Sequence, residues 1–290
     1  MKNNEYFWPN GARLVISFSM QFETGGHPAG ASSPFSISPL PKGYPDLPAE
    51  SWFRYGAFEG IPRMLDLWDK HNIKVTSHVV GKAAEKYPHL ARRIADSGHE
   101  IAAHGIVWDD QYNKSYKEEL SFIKEGVDLV EQITGKRAVG YNCNWLRRSV
   151  NTLKVLQELD FLYHIDDLSH DEPFITNVSG KRFVVMPYTI RNNDIVNLEV
   201  KNWSPNQFAA QLKYEFDHLY TEAGTKRRMM SVSLHDRIGG TPAVISVIDE
   251  FIKYAKSHEG VVFMRKDEIA NLIKDDPNTP TCDSEQEYNN

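Results

Sequence analysis

The 290-residue sequence has few cysteines, no excess of positive charge and no long hydrophobic run. Cys143 and Cys282 are too few for a disulfide framework, so we expect a reducing compartment. The net charge of −6 argues against a nucleic-acid or anionic-membrane partner, because both need a basic surface. No apolar stretch reaches the roughly 18 residues of a membrane span. The N-terminal segment has no apolar signal core, which predicts a cytoplasmic protein.

Short apolar segments alternate with longer amphipathic ones along most of the chain. The strand-like segments are residues 13–20, 73–80, 100–105, 137–142, 161–166, 183–189, 229–236 and 261–266. This alternation is typical of parallel strands joined by crossover helices. About eight repeats in one chain predict an α/β fold, a single distorted (β/α) TIM-like barrel of roughly seven to eight strands.

The helical segments carry recognisable start and stop signals. The amphipathic pattern of one helix includes Ile61 and Trp68, and Gly135 is a plausible stop for another. Ser204 followed by Pro205 predicts a third helix start, and Thr241 followed by Pro242 repeats the pattern. These signals place the helices between the predicted strands.

Only two segments depart from this regular alternation. Residues 24–59 are rich in proline, glycine and serine, and a loop of that length is usually a lid or a binding loop. Residues 276–290 have the composition of a flexible C-terminal tail. We therefore predict one catalytic domain over residues 1–275, with the long loop inserted at 24–59.

Polar or ionisable side chains follow the predicted strands, at the end where a (β/α) barrel places its active site. One such residue alone most often has a structural role, but a series of them around one rim predicts a functional pocket. The residues singled out are Glu23, His104, Trp108, Asn144, Arg147, Asp166, Tyr188, Asn193, Asp194, His235 and Arg237.

These residue types suit hydrolysis of an amide bond. His104 and His235 can serve as base and acid, and Glu23 can activate water or orient a histidine. The remaining eight residues are the predicted substrate-binding set, in which arginine and asparagine can bind a carbonyl oxygen or a carboxylate. The same set would also suit a sugar-binding pocket. Asp166 could instead hold a loop, and Cys143 could be a nucleophile, although no base is adjacent in sequence.

The order of the motifs resembles the polysaccharide deacetylase superfamily with its NodB-type barrel, and within it the branch of PuuE-type allantoinases and cyclic imide hydrolases. The segments that carry the resemblance are WPNGARLVISFSMQFETGG, HEIAAHG, GYNCNWLRRSVNT, FLYHIDDLSHDEPF, VMPYTIRNND and MMSVSLHDRIGGTPA, within residues 8 to about 270. The resemblance implies a NodB-type barrel and hydrolysis of a carbon–nitrogen bond. It also implies a homo-oligomer, a dimer or tetramer.

The sequence differs from the metal-dependent members of that superfamily. Their early motif is similar to T-F-D-D, and the segment of this chain that we compare with it is Phe18–Gln21. Their later motif is H-S/T-x-x-H, and this chain has His104 at its first position and Trp108 at its last. We therefore expect no cofactor. If a Zn²⁺ ion binds, its ligands would be Glu23, His104 and His235.

Three functions remain open from the sequence. The first is ring opening of a small cyclic amide or imide, and the second is metal-dependent N-deacetylation of an amino-sugar polymer such as chitin or peptidoglycan. The third is binding without catalysis. The expected cytoplasmic location and the predicted lid favour a small-molecule substrate, and the retained histidines favour an enzyme.

Overall fold

The structure is a computed structural model that describes residues 7–27, 40–41 and 43–282. Its strands are β1 (Leu14–Phe22), β2 (Thr76–Val79), β3 (Glu100–Ala103), β4 (Gly140–Tyr141), β5 (Tyr163–His164), β6 (Phe174–Val178), β7 (Lys181–Val185), β8 (Met229–His235) and β9 (Val261–Phe263). The α-helices are α1 (Leu47–Tyr55), α2 (Ile61–Lys70), α3 (Gly81–Lys86), α4 (Pro88–Asp96), α5 (Tyr116–Thr134), α6 (Thr152–Glu158), α7 (Pro205–Glu222), α8 (Asp236–Gly239), α9 (Pro242–Lys256) and α10 (Lys266–Ile273). Two π-helical turns, Gly56–Gly60 and Ile195–Val200, and three short 3₁₀ turns complete the described residues.

The strands form one curled sheet in the order β6-β7-β5-β4-β3-β2-β1-β8, with β9 also paired to β1. Neighbouring strands are parallel except for β6 and β7, which are antiparallel. A bridge between Asn193 and Ser233 links the segment after β7 to β8. The predicted α/β fold is confirmed as a curled half-barrel, whose parallel strands end on the same rim.

The β6–β7 hairpin is the main difference from the predicted strand order. The sequence analysis missed β6 and placed the next strand at 183–189, whereas β7 begins at Lys181. Ser179 and Gly180 form the turn, with φ angles of 49° and 79°. Two successive positive φ angles fit a two-residue hairpin turn, so the Ser-Gly pair was the available signal.

β1 separates two different environments, because successive side chains of a strand point to opposite faces. Leu14, Ile16, Phe18, Met20 and Phe22 belong to the apolar core shared with α2, α7 and α9. The alternate residues Ser17, Ser19 and Gln21 are buried and polar. The helix-facing side of β1 therefore stabilises the fold, and its other face lines a polar barrel interior.

The predicted helix signals are confirmed where the structure describes them. α5 begins with Ser115 in a reciprocal capping arrangement with Glu118 and ends at Gly135, whose φ is 68°. α7 begins at Pro205 after the Ser204 cap, and α9 begins at Pro242. These caps satisfy backbone groups that the first and last helical turns leave unpaired.

Part of the predicted loop 24–59 is helical. α1 begins at Leu47, where the Asp46 side chain accepts a hydrogen bond of 3.0 Å from the backbone N–H of Ala49. The π-helical turn at Gly56 then continues directly into α2. Residues 28–39 and 42 of the predicted loop lie outside the described residues.

The first part of the predicted C-terminal tail is tied to the sheet. The backbone N–H of Ile175 donates to Pro280, and the N–H of Cys282 donates to Ile175, each at 2.8 Å. This pairing beside β6 fixes residues as far as 282, and residues 283–290 lie outside the described part. Among the helices in the described ranges, none is long and apolar enough to cross a bilayer.

The π-helical turn Gly56–Gly60 packs tightly against α8, and this contact gives a stability prediction. A Cβ atom at Gly60 would lie 1.8 Å from the carbonyl oxygen of Asp236. We expect Gly60→Ala to lower the free energy of unfolding by about 1–3 kcal/mol, measured by denaturant titration. The adjacent, exposed Glu59→Ala variant is the control and should change it by less than about 0.5 kcal/mol. Equal stability of the two variants would contradict this packing.

Candidate active site

Glu23, His104 and His235 meet at the rim of the sheet, after β1, after β3 and at the end of β8. Glu23 Oε1 lies 3.4 Å from His104 Nε2 and 3.6 Å from His235 Nε2. All three residues are buried, with 1%, 4% and 6% of their surface exposed. The structure therefore brings the predicted catalytic residues together around a single carboxylate oxygen.

Each histidine is oriented by a partner at its other ring nitrogen. His104 Nδ1 lies 2.7 Å from the backbone carbonyl oxygen of Asn142, which only accepts hydrogen bonds, so Nδ1 donates. His235 Nδ1 lies 2.6 Å from the Asp194 carboxylate and donates to it. Both Nε2 atoms consequently face the Glu23 carboxylate, whose oxygens accept hydrogen bonds.

Asp194 supports His235 and does not line the cavity described below, although the sequence analysis placed it with the substrate-binding residues. Its second carboxylate oxygen accepts a 2.7 Å hydrogen bond from the backbone N–H of His235. Burial alone would lower the pKa of His235, but the charges of Asp194 and Glu23 raise it above its ordinary value. The pair thus favours the imidazolium form of His235.

Arg237 contacts the carboxylate oxygen of Glu23 that does not face the histidines. Its Nη1 lies 2.7 Å from Glu23 Oε2 and 3.4 Å from Asp236 Oδ1. Burial alone would raise the pKa of Glu23, but the Arg237 guanidinium and then His235 hold it well below its usual range. Arg237 was predicted to bind substrate, whereas in the structure its guanidinium forms an ion pair with Glu23.

Aromatic rings enclose the Arg237 guanidinium. Its central carbon lies 4.7 Å from the ring centroids of Trp52 and Phe53 and 5.9 Å from that of Trp108. Such contacts between a cation and the faces of aromatic rings are attractive, particularly when the cation is desolvated. The helix α1, within the predicted loop, thereby contributes two of the walls behind the site.

Two further carboxylates fix the backbone around the site. Asp236 Oδ2 accepts hydrogen bonds of 2.8 Å from the N–H groups of both Glu23 and Thr24. Asp166 accepts from the N–H of Cys143 at 2.9 Å and from the Asn142 side chain at 2.7 Å. The alternative reading of Asp166, that it holds a loop, therefore agrees with its contacts.

A cavity of about 40 Å³ opens in front of the two histidines and Glu23. Its walls are Gln21, Glu23, His104, Trp108, Asn142, Cys143, Trp145, Leu146, Tyr188, Ile190, Asn193, Ile195 and His235. Trp108, Tyr188 and Asn193 of the predicted substrate-binding set lie there, with Trp108 and Trp145 5.9 Å apart between ring centroids. Asn144 and Arg147 do not line this cavity.

Sequence reasoning left Gln21, Asn142, Leu146, Ile190 and Ile195 out of the predicted site, and it left Trp145 open between a pocket wall and rim packing. Asn142 and Gln21 stand at strand ends, so their positions carried a signal, whereas the apolar walls resemble ordinary core residues in sequence. Cys143 is fully buried, and burial followed by the charge of Asp166 raises its pKa well above the ordinary value. A thiol in that state is a poor nucleophile, because the thiolate is the reactive form.

A larger groove of about 890 Å³ adjoins the cavity on the far side of Leu146, which lines both. Arg147, Arg148, Lys154 and Asp166 are among its walls. Trp145 and Leu146, between the two spaces, have φ angles of 52° and 60°. Non-glycine residues in this conformation are uncommon and often occur at functional sites. The predicted residues Arg147 and Asp166 thus belong to the groove.

Comparison with known proteins agrees with this geometry. The profile of the polysaccharide deacetylase family matches residues 52–164. A crystal structure described as a probable polysaccharide deacetylase from Pseudomonas aeruginosa PAO1 is 32% identical, with a TM-score of 0.83, and the match covers 91% of this chain and 92% of that one. The chain belongs to the polysaccharide deacetylase family.

Within the polysaccharide deacetylase family, similarity extends to proteins with different named activities. The crystal structure of PuuE allantoinase is 32% identical, with a TM-score of 0.82 and 91% coverage of each chain. A peptidoglycan deacetylase from Helicobacter pylori is 25% identical over 75% of this chain and 85% of that protein. Members of the polysaccharide deacetylase family are hydrolytic enzymes, and both named activities cleave carbon–nitrogen bonds.

The segment compared with the first polysaccharide deacetylase motif lies on β1. The sequence analysis compared T-F-D-D with Phe18–Gln21, and neither acidic position holds an acidic residue there. Phe18 and Met20 lie in the helix-facing core, whereas Gln21 lines the cavity. The strand ends at Phe22, and Glu23 directly after it supplies a carboxylate to the site.

The side chains at the site do not fit a divalent metal. Glu23 is the one carboxylate that contacts both histidines, and its charge is already balanced by Arg237 at 2.7 Å. A cation so close to the candidate ligands would repel a metal ion. In the described ranges, no group of three histidine, cysteine, aspartate or glutamate residues has the arrangement of a metal site.

Proposed function

We propose that this protein hydrolyses a carbon–nitrogen bond by opening the ring of a small cyclic amide or imide. The observation that supports this proposal is the pair of oriented histidines beside Glu23, whose carboxylate is neutralised by Arg237. Such an arrangement supplies a base and an acid to one cavity without a metal ion. The similarity to PuuE allantoinase supports the same class of substrate.

In the first step, His104 acts as the base. Its Nε2 takes a proton from a water molecule, and the water oxygen forms a bond to the carbonyl carbon of the ring. The electrons of the carbonyl double bond move to the carbonyl oxygen. The Tyr188 hydroxyl and the Asn193 amide are the polar groups of the cavity wall that can face this oxygen.

In the second step, His235 acts as the acid. Its Nε2–H gives a proton to the ring nitrogen as the carbon–nitrogen bond breaks, and the carbonyl double bond forms again. The raised pKa of His235 keeps this proton available near neutral pH. The product is an open chain with a carboxylate, so each turnover near neutral pH also releases one proton.

The deacetylase alternative has its own supporting observation. The groove of about 890 Å³ beside the cavity is long enough to hold part of a polymer, and typical ligand pockets span roughly 300–1,000 Å³. The Helicobacter pylori relative is named as a peptidoglycan deacetylase.

The cytoplasmic location and the assembly into a homo-oligomer, both expected from the sequence analysis, stay predictions.

Hydrolysis of a substrate panel tests the proposal. Succinimide, hydantoin, allantoin and an N-acetylglucosamine oligomer would be offered to protein whose metal content is measured before and after chelation. We expect ring opening that persists after chelation. Acetate release from the oligomer, lost on chelation and restored by Zn²⁺, would instead establish the deacetylase function.

Replacing Asp194 should change the pH dependence of turnover. The reaction needs protonated His235, so activity falls as pH rises through its pKa. Asp194→Asn removes the nearest charge that raises this pKa, so the alkaline limb of kcat should move to lower pH. At pH 8 we expect kcat to drop by at least about tenfold. An unchanged alkaline limb would contradict the role of His235 as the acid.

A further inference from the structure

The barrel interior below the site is polar, where (β/α) barrels usually carry layers of bulky branched residues. Gln21, His78 and Ala102 lie level with one another on β1, β2 and β3, and Ser19, Thr76 and Glu100 form the layer beneath. Lys266 of α10 closes the far end, where its Nζ lies 3.1 Å from Ser17 Oγ. All of these residues are buried. We call this set the polar column.

Several polar atoms of the column have no partner within the part of the chain that the structure describes. They are Ser19 Oγ, Gln21 Oε1, both ring nitrogens of His78 and Ser231 Oγ on the adjacent strand β8. Buried polar atoms nearly always have a hydrogen-bond partner, and in a polar interior that partner is ordered water. The column therefore has the chemistry of a water-filled path.

His78 lies in the middle of this path, directly beneath the site. The ring centroids of His78 and His104 are 6.5 Å apart, a separation that one water molecule can bridge. A histidine with a purely structural role usually has one ring nitrogen fixed by a protein group, as His99 does by accepting from the N–H of Val75. Neither ring nitrogen of His78 contacts a protein group in the described ranges, so it can accept a proton on one and donate from the other without a lasting charge.

We propose that the polar column is a proton path, in which His78 relays the proton released on hydrolysis from the His104 side of the site towards Lys266 and Glu100. This inference rests on the proposed function, because ring opening to a carboxylate releases that proton. The carboxylic acid formed on ring opening returns one proton to His235, so the proton that His104 took from water is the one released per turnover. No oxidant or reductant is involved. His78 is then a positioning residue that acts through His104 rather than on the substrate.

The far end of the column can accept a proton and pass it to solvent. Burial lowers the pKa of Lys266 to about 8, and burial followed by Asp267 raises that of Glu100 to about 7, so both groups exchange protons near neutral pH. Glu100 Oε2 accepts a 3.0 Å hydrogen bond from the N–H of Asp267, which is partly exposed. The groups that face His78 are Lys266 and His104, and both disfavour a charged His78.

The test compares His78→Phe with Thr176→Val. The phenylalanine keeps the ring and removes both nitrogens, whereas Thr176 is a buried threonine on β6 whose Oγ1 likewise has no partner in the described residues. We expect His78→Phe to lower kcat at least about tenfold with KM within about twofold, and imidazole buffer to restore part of it. Thr176→Val should keep wild-type kinetics. Neither variant should melt far below the wild type, since neither removes a hydrogen bond between protein groups of the described residues.

Two results would overturn the relay. If His78→Phe keeps the kcat and the solvent isotope effect of the wild type, His78 has no role in proton transfer. A lower kcat that no buffer restores, together with a lower melting temperature, would show a structural role instead. A high-resolution crystal structure tests the path without any substrate, since it must show water on both ring nitrogens of His78, and a dry column would refute it. If no substrate of the panel is hydrolysed, the proposed function is wrong. The crystal structure would still show whether the polar column holds water.

Discussion

His104→Ala is expected to abolish measurable ring opening, with kcat lower by about 10²–10⁴-fold. His104 is the residue whose Nε2 faces Glu23 and the cavity, because Nδ1 is committed to the Asn142 carbonyl at 2.7 Å. Within the described ranges, one further imidazole lines the cavity, that of His235, whose Nδ1 is paired with Asp194. The variant therefore leaves the water without a base. Turnover on the most reactive substrate of the panel is the measurement.

The same variant should remain folded, with the free energy of unfolding lower by about 1–2 kcal/mol. His99→Ala is the matched control, because His99 is as buried as His104 and its Nδ1 accepts a 3.1 Å hydrogen bond from the N–H of Val75. It lies at the opposite end of β3, so its replacement should lower stability by a similar amount and preserve kcat. Comparable loss of activity in both variants would mean that His104 matters only for folding.

The sequence predicted the features that follow from periodicity and from chain order. Strand ends in a parallel sheet share one rim, so Glu23, His104 and His235 could be expected to meet before any coordinates were known. The helix start at Ser204 and the helix stop at Gly135 are local signals, and they were predicted for the same reason. The apolar walls of the cavity could not be predicted, because they depend on contacts between residues that are distant in sequence.

The direction of a side chain after a strand end was the least predictable property. His235, Asp236 and Arg237 are consecutive, but α8 begins at once after β8, so the three side chains point to different partners. His235 turns to Asp194, Asp236 to the N–H groups after β1, and Arg237 to Glu23. Spacing alone could not separate residues that face the cavity from those that support it.

Arg237→Met is expected to lower the free energy of unfolding by about 3–5 kcal/mol at neutral pH, because it leaves buried carboxylates without their cation. Glu23 Oε2 and Asp236 Oδ1 both contact Arg237 Nη1, and none of these residues is more than 2% exposed. Denaturant titration measures the loss. Arg147→Met, at an exposed arginine, is the control and should change stability by less than about 0.5 kcal/mol.

The pH dependence of this loss identifies Glu23 as the group involved. In the wild type the pKa of Glu23 is lowered, so its contribution to stability is present above its unfolded value near 4.3 and is lost as pH falls. In Arg237→Met, burial without the guanidinium raises that pKa, so the variant loses stability as pH rises. The difference between the two proteins should therefore be small at acidic pH and widen towards neutral pH. A difference that does not change with pH would contradict this assignment.

A double variant with Glu23→Gln and Arg237→Met measures the energetic coupling between the two residues. The double variant removes one buried charge of each sign, so it should recover part of the stability that Arg237→Met loses, with a coupling energy of about 0.5–3 kcal/mol. Recovery will be incomplete, because Asp236 still lacks its partner at 3.4 Å. Activity should not recover, since the carboxylate between the two histidines is gone. Additive stability losses, without coupling, would mean that Glu23 and Arg237 do not form the ion pair that their 2.7 Å contact indicates.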